Sequence, residues 1–198
     1  MVDSSKRFRT TARLLALFSS SVVLATVAAT GTAEASAETN AAGGVLAEYD
    51  GRTIDLSQDW EGATSCVEQP NGSFRCYDDD ADYLAEQGLD SPGTRAGAIA
   101  ADGCETRYLC LWDNRYYAGK KVRFVKAGRH DLNSVGFRNR ANSFYNNRAL
   151  PSELYDIGCG CTLHAAGRQP RSELSRIPQP VGTGSWNNKI DAVVLHKD

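Results

Sequence analysis

Six cysteines in a chain with a single methionine constrain the fold more than any other feature, and their meaning depends on the compartment. In a reducing space they read as metal ligands or redox groups, whereas after export they pair. The start of the chain bears on that choice. Lys6, Arg7, Arg9 and Arg13 precede an uncharged run of 17 residues, 14–30, and small residues follow at Ala33, Ala35 and Ala37. That is the pattern of a secretory signal peptide. Ser19, Ser20, Ser21 and Thr26 interrupt the run, which is barely as long as the roughly 20 residues a membrane span needs. Residues 1–37 are therefore read as a signal peptide cleaved after Ala35 or Ala37, and the mature protein as secreted and extracellular, with no membrane contact after cleavage. Paired cysteines with 18 Gly and 6 Pro favour a loop-rich β fold over a helical bundle.

The formal charge is −2, and removing 1–37 takes away four positive residues and two negative ones (Asp3, Glu34), leaving −4. No excess of positive charge remains to neutralise a phosphate backbone, so nucleic acid is not the expected partner. The stretch 89–103 (LDSPGTRAGAIAADG) is rich in Gly, Ala, Asp and Pro without an apolar period and reads as a linker. It separates a small N-terminal module, 38–88, from a domain at 104–198.

In the N-terminal module Thr53-Ile54-Asp55-Leu56 alternates like a strand, and Pro70-Asn71-Gly72 lies between Cys66 and Cys76. Pro70 pushes Gln69 to an extended conformation and Gly72 supplies a left-handed residue, which closes a three-residue hairpin loop. Pairing Gln69 with Ser73 then sets Cys66 opposite Cys76, where a bridge fits. Asp78, Asp79, Asp80 and Asp82 lack the Gly and the terminal Glu of a calcium loop. They read instead as the acidic start of a helix over 79–87 that stops at Gly88.

Beyond Cys104 short apolar runs at 108–112, 121–125, 143–145, 153–155 and 192–195 alternate with turn residues, which predicts an all-β domain. Residues 136–144 (GFRNRANSF) align with 185–193 (SWNNKIDAV) at an offset of 49. An aromatic, a polar pair, a further polar residue and a strand recur, as two successive Greek keys would give.

Trp112-Asp113-Asn114-Arg115-Tyr116-Tyr117-Ala118-Gly119 resembles the βγ-crystallin signature. With Cys104, Cys110-Leu111-Trp112, Asp131-Leu132 and Tyr145-Asn146-Asn147, the chain is similar to peptidase inhibitor family thirty-six. The stretch from Gly51 to Leu56 with Trp60, Glu61 and Gly62 resembles a leader module of that family. The second repeat departs from the signature, since Ile157-Gly158-Cys159-Gly160-Cys161 follows Tyr155-Asp156. The resemblance implies a βγ-crystallin-like double Greek-key sandwich preceded by a small disulfide hairpin and helix module. It also implies a secreted protease inhibitor, acting on extracellular metalloproteinases by tight binding through a rigid loop and not as an enzyme.

The cysteine-anchored candidate for that loop is 150–162, in which Leu154, Tyr155 and Ile157 offer apolar contacts and Cys159 and Cys161 add stiffness; the alternative is that 153–156 and 161–164 are core strands. Four cysteines, Cys104, Cys110, Cys159 and Cys161, allow three connectivities. A bridge between near neighbours Cys159 and Cys161 strains ordinary geometry, so crossed bridges between the opening strand and the 158–162 turn are expected. Crystallin-like folds bind calcium through the repeated polar segments. Here that leaves Asn187, Asn188 and Asp191 as a weak candidate, because Arg138 opens the first copy; otherwise no cofactor is expected. His130, His164 and His196 show neither metal spacing nor a nucleophile motif. Lys120, Lys121, Arg138 and Arg140 read as solvated positions, and Tyr116, Tyr117 and Tyr145 as aromatics that shape the fold. A calcium-modulated or envelope-associated binding module without a protease target is the alternative function, and a monomer the expected state.

Overall fold

The computed structural model describes residues 37–89 and 103–197. The expected signal peptide lies outside them except for Ala37, and the expected linker lies outside them except for Leu89 and Gly103. In the N-terminal stretch β1 (Leu46–Tyr49), β2 (Arg52–Asp55), β3 (Ser65–Glu68) and β4 (Phe74–Tyr77) lead into helix α1 (Asp80–Glu86). The C-terminal stretch carries β5 (Leu109–Trp112), β6 (Lys121–Phe124), β7 (Gly128–Asp131) and β8 (Ser143–Asn146). These are followed by β9 (Ser152–Asp156), β10 (Cys161–Ala165), β11 (Gln169–Arg171) and β12 (Ala192–Leu195).

The local chemistry of the first stretch behaves as its sequence dictates. Gln69 donates its amide to Ser73 at 2.8 Å around the Pro70-Asn71-Gly72 loop. Cys66 faces Cys76 across β3 and β4, and the two are bridged. Asp79 caps α1 by accepting from the amides of Ala81 at 2.7 Å and Asp82 at 3.0 Å, so two otherwise unpaired donors of the first turn are satisfied.

Strands β5 to β8 make one Greek key and β9 to β12 a second. In each key the third strand crosses over, so one sheet runs β11-β8-β5-β6 and continues, while the other is β10-β9-β12-β7. This is the all-β double Greek-key sandwich expected from the repeat. The recurring aromatics Phe137 and Trp186 plug its interior beside Leu111, Phe144, Leu154 and Val193.

The two stretches were expected as modules joined by a linker, yet they share one sheet and one core. β3 pairs in parallel with β6, Ser65 opposite Lys121 and Val67 opposite Arg123, which extends the first sheet through β3, β4, β1 and β2 to eight strands. Trp60 stacks on Phe137 with ring centroids 5.8 Å apart and donates its indole N–H to the Val135 carbonyl at 2.9 Å. Gly136, at φ +63, lies so close to this contact that a Cβ there would meet the Leu56 carbonyl oxygen at 2.3 Å. Only glycine fits.

The outer face of the eight-stranded sheet is covered by α1, whose Tyr83 and Leu84 pack with Val67 and Tyr77. Lys121 and Arg123, on β6, point into this layer and are 2% and 0% exposed. Lys121 is therefore not a solvated strand residue. Its ammonium donates to Asp80 Oδ2 at 3.0 Å and to the Gly103 carbonyl at 2.6 Å. Arg123 pairs with Asp80 and with Glu105 Oε2 at 3.1 Å, and donates to Ser65 Oγ at 2.7 Å. Burial, and next the Arg123 charge, depress the Lys121 pKa to about 7.

The same alternation of faces decides the disulfides. On β5 Leu109 and Leu111 enter the core between the sheets, whereas Cys110 and Trp112 pack on the outer face with Cys104, Tyr108, Tyr117 and Tyr145. Cys161 lies in the inner core, so Cys110 cannot meet it. The bridges are Cys104 to Cys110 and Cys159 to Cys161, and not the crossed pattern. A sharp turn at Gly160 sets the Cα atoms of Cys159 and Cys161 5.2 Å apart, within the range a disulfide spans.

Candidate functional site

β9 and β10 form a hairpin in which Asp156 faces Cys161 and 157–160 make the turn. The Gly160 amide closes the turn on the Ile157 carbonyl at 3.3 Å. Ile157 is 53% exposed at the tip, while the Cys159 to Cys161 bridge ties the turn to the strand behind it.

Two buried carboxylates fix the turn from within. Asp156 Oδ1 accepts from the amides of Gly158 at 2.8 Å and Cys159 at 3.3 Å. Its Oδ2 accepts from the Gln179 side chain at 2.6 Å. Asp191 Oδ2 accepts from the Ile157 amide at 2.7 Å, and Oδ1 from Arg138 Nε at 2.6 Å. That pairing holds the Arg138 pKa above its ordinary value. Hydrogen bonds to ionised groups are shorter and stronger than neutral ones, so the apolar tip is presented on a backbone that has little left to order on binding.

The structure separates the five residues expected to form the loop. Leu154 is fully buried, opposite Leu163 on β10 and Val193 on β12, and cannot anchor anything outside the molecule. In a strand whose residues alternate between faces, Leu154 takes the inner one. Tyr155 is half-buried, with Arg129 over its ring and its hydroxyl donating to Glu153. Ile157 and the Cys159 to Cys161 bridge remain at the tip. The second reading of this stretch, core strands at 153–156 and 161–164, describes its flanks. Asp156, Arg138 and Gln179 support the tip without having been singled out for it. Asp156-Ile157-Gly158 does carry the side-chain-to-backbone turn chemistry that aspartate favours. Nothing local links Arg138 to Asp191.

The calcium candidates sit where the two repeats lock together. The Asn139 amide donates to the Ile190 carbonyl at 2.9 Å, and the Asn188 amide donates to the Ala141 carbonyl at 3.1 Å. These are the same bond exchanged between repeats. Asn188 Oδ1 accepts from Asn142 Nδ2 at 2.9 Å, and Asp191 is committed to Arg138 and Ile157. What remains is a pair of buried amide oxygens without partners, Asn142 Oδ1 and Asn187 Oδ1. Calcium takes six to eight oxygens, several of them from carboxylates. A guanidinium on Asp191 and amides elsewhere fit it poorly. Among the described residues no group of three His, Cys, Asp or Glu side chains could hold a metal ion.

The remaining candidates have structural partners. His130 Nε2 lies 2.8 Å from the Lys126 carbonyl. Arg140 bonds Asp113 Oδ2 at 3.0 Å, which also accepts the Lys120 amide through Oδ1 at 2.8 Å; Asp113 thus holds the signature turn together. Tyr117 and Tyr145 pack under Trp112 as fold-shaping aromatics, but Tyr116 is 64% exposed. Among the described residues no helix is long and apolar enough to cross a membrane.

No curated protein matches the chain. Solved structures to which it is similar include the N-terminal domain of protein S, at 17% identity over 44% of this chain and 92% of that one, with a TM-score of 0.35. A betagamma-crystallin domain from Flavobacterium johnsoniae is also similar, at 17% identity over 43% of this chain and 90% of that one, with a TM-score of 0.34. The model of peptidase inhibitor family I36 matches residues 97–158, a segment that runs through the first Greek key to the hairpin tip. A peptidase inhibitor acts by binding a protease, not by catalysis, and three disulfides fit an extracellular protein. Over residues 97–158 the chain is similar to peptidase inhibitor family I36.

Proposed function

We propose that the protein is exported by removal of residues 1–37 and, as a monomer, inhibits an extracellular metalloproteinase by inserting the hairpin tip 157–160 into its substrate cleft. The observation that carries this reading is Ile157, an apolar side chain 53% exposed on a turn held by a disulfide and by Asp156 and Asp191. A segment already fixed in its bound shape loses little conformational entropy in the cleft. If the protease cuts beside Ile157, the bonds from the Asp156 carboxylate to the amides of Gly158 and Cys159 and the pairing of β9 with β10 keep the new ends together, which favours rejoining over release. Ile157 supplies the apolar contact that thermolysin-like enzymes favour next to the cut bond.

The test is a panel of extracellular metalloproteinases assayed with the disulfide-bonded protein and with Ile157→Ala. Truncating an apolar anchor at the centre of an interface commonly costs about 2 kcal/mol, roughly thirtyfold in affinity. Inhibition that Ile157→Ala weakens by that order supports the proposal, and a panel without inhibition at micromolar protein rejects it. Inhibition that survives the substitution unchanged rejects the tip.

A further inference from the structure

The two Greek keys differ in one loop. Between their third and fourth strands the first key uses 132–142 and the second uses 172–191, eleven residues against twenty. The added residues build a small hairpin of their own. Pro178 bridges to Ser185, the Gln179 amide donates to the Gly184 carbonyl at 3.0 Å, and the Trp186 amide donates to the Ile177 carbonyl at 2.9 Å. Trp186, 1% exposed, roots the stem in the core.

The end of this hairpin projects into solvent. Residues 180–184 are all exposed, and Val181 is 61% exposed. From Ile177 to Trp186 no residue carries a charge, in a chain of which 23% is charged. Its position is nevertheless fixed. Gln179 Nε2 donates to Asp156 Oδ2 at 2.6 Å and lies 3.6 Å from Cys159 Sγ, so the carboxylate that holds the 157–160 turn also holds this stem. Three large apolar side chains are exposed among the described residues, Tyr116, Ile157 and Val181. Two of them are carried by these linked turns. Apolar groups gathered at one end of a molecule mark an interaction surface, whereas scattered ones do not.

We propose that 180–184 is a second contact loop, which places Val181 on an apolar patch bordering the protease cleft that receives Ile157. The inference rests on the inhibitory reading above and adds a residue that sets which protease is bound. An uncharged loop suits that position because little polar surface must be stripped of water, and Pro180 at its start, with Pro178 in the stem, limits the conformational freedom lost on docking. Gln179 is a positioning residue that keeps the two turns in register.

The test compares Val181→Ser, Ile157→Ala and the double variant against the metalloproteinase that the wild-type protein inhibits, with melting temperature and gel-filtration mass measured for each. Val181→Ser is expected to raise the inhibition constant about tenfold without changing melting temperature or mass, and the double variant to be weaker than either single one. If Ile157→Ala weakens inhibition while Val181→Ser stays within twofold of wild type, the second loop is overturned and the inhibitory tip stands. If wild type is a dimer that Val181→Ser converts to monomer, the loop serves a second copy of the chain and the inference also falls. A panel without inhibition removes both readings together.

Discussion

Leu154 and Ile157 are three residues apart in one hairpin, and their truncations should have opposite consequences. Leu154 is completely buried between β10 and β12, so Leu154→Ala removes core carbon atoms and leaves a cavity. The expected cost is about 3 to 4 kcal/mol, which for a body of this size lowers the melting temperature by on the order of 10 °C. Ile157 keeps 53% of its surface in water, so its truncation should cost less than about 1 kcal/mol of stability. Thermal unfolding and a protease titration, carried out on both variants well below their melting points, separate the effects. Leu154→Ala should melt early and inhibit with the wild-type constant; Ile157→Ala should melt normally and inhibit weakly. Equal losses of melting temperature would refute the assignment of one side chain to the core and the other to the tip. So would a weak inhibitor made by Leu154→Ala at unchanged stability.

Arg138→Ala leaves Asp191 buried without its cation, so inhibition should weaken severalfold and hydrogen exchange at the Ile157 amide should quicken; unchanged exchange would show that Arg138 does not support the tip. The Lys121 pKa falls from 10.5 in the unfolded chain to about 7 in the folded one. Between those values the unfolded state binds more protons, and stability should rise with pH by up to about 1.4 kcal/mol per unit. Urea unfolding at pH 7 and pH 9 should reveal the rise in wild type and its loss in Lys121→Met, and equal slopes would refute it. Millimolar calcium should shift melting by no more than a few degrees; a larger shift, abolished by Asp191→Ala, would make the inter-repeat region a metal site. Replacing Cys66 and Cys76 by alanine should cost about 3 kcal/mol in the chain-entropy model, measured by urea unfolding, and a negligible loss would place the strength of that hairpin in its packing.

What was legible in the sequence is what short-range chemistry decides. The register of Cys66 and Cys76 followed from Pro70 and Gly72, and the start of α1 from Asp79, because each depends on residues within one turn. The double Greek key followed from Phe137 and Trp186 recurring with their polar followers, since each repeat must plug the same core. Long-range pairing hid the rest. Lys121 looks solvated until β3 and α1 are laid against β6, and β7 (Gly128–Asp131) is too polar to read as a strand until β12 pairs with it. The pairing of Cys104, Cys110, Cys159 and Cys161 is hidden because the face on which Cys110 lies becomes visible only with the sheet. At the tip Ile157, Cys159 and Cys161 could be named, but not the bridge between the two cysteines, and the Arg138 and Asp191 support joins residues 53 apart.

The parallel pairing of β3 with β6 has a consequence for the life of the chain. In the Greek-key sheet alone β6 would be the last strand, with a row of open backbone donors and acceptors and with Arg123 stripped of Asp80 and Ser65. Such a margin is a template on which other copies accumulate. With β3 in place the margin moves outward to β2, a four-residue strand whose Arg52 and Thr53 face water, a poor surface for recruiting another strand. The leader stretch therefore works as a selvage, the woven border that keeps a cloth from fraying. It leaves the ribosome before the sheet it will finish. A fragment that begins at Cys104 would be expected to lose solubility before it lost its ability to curl into two Greek keys.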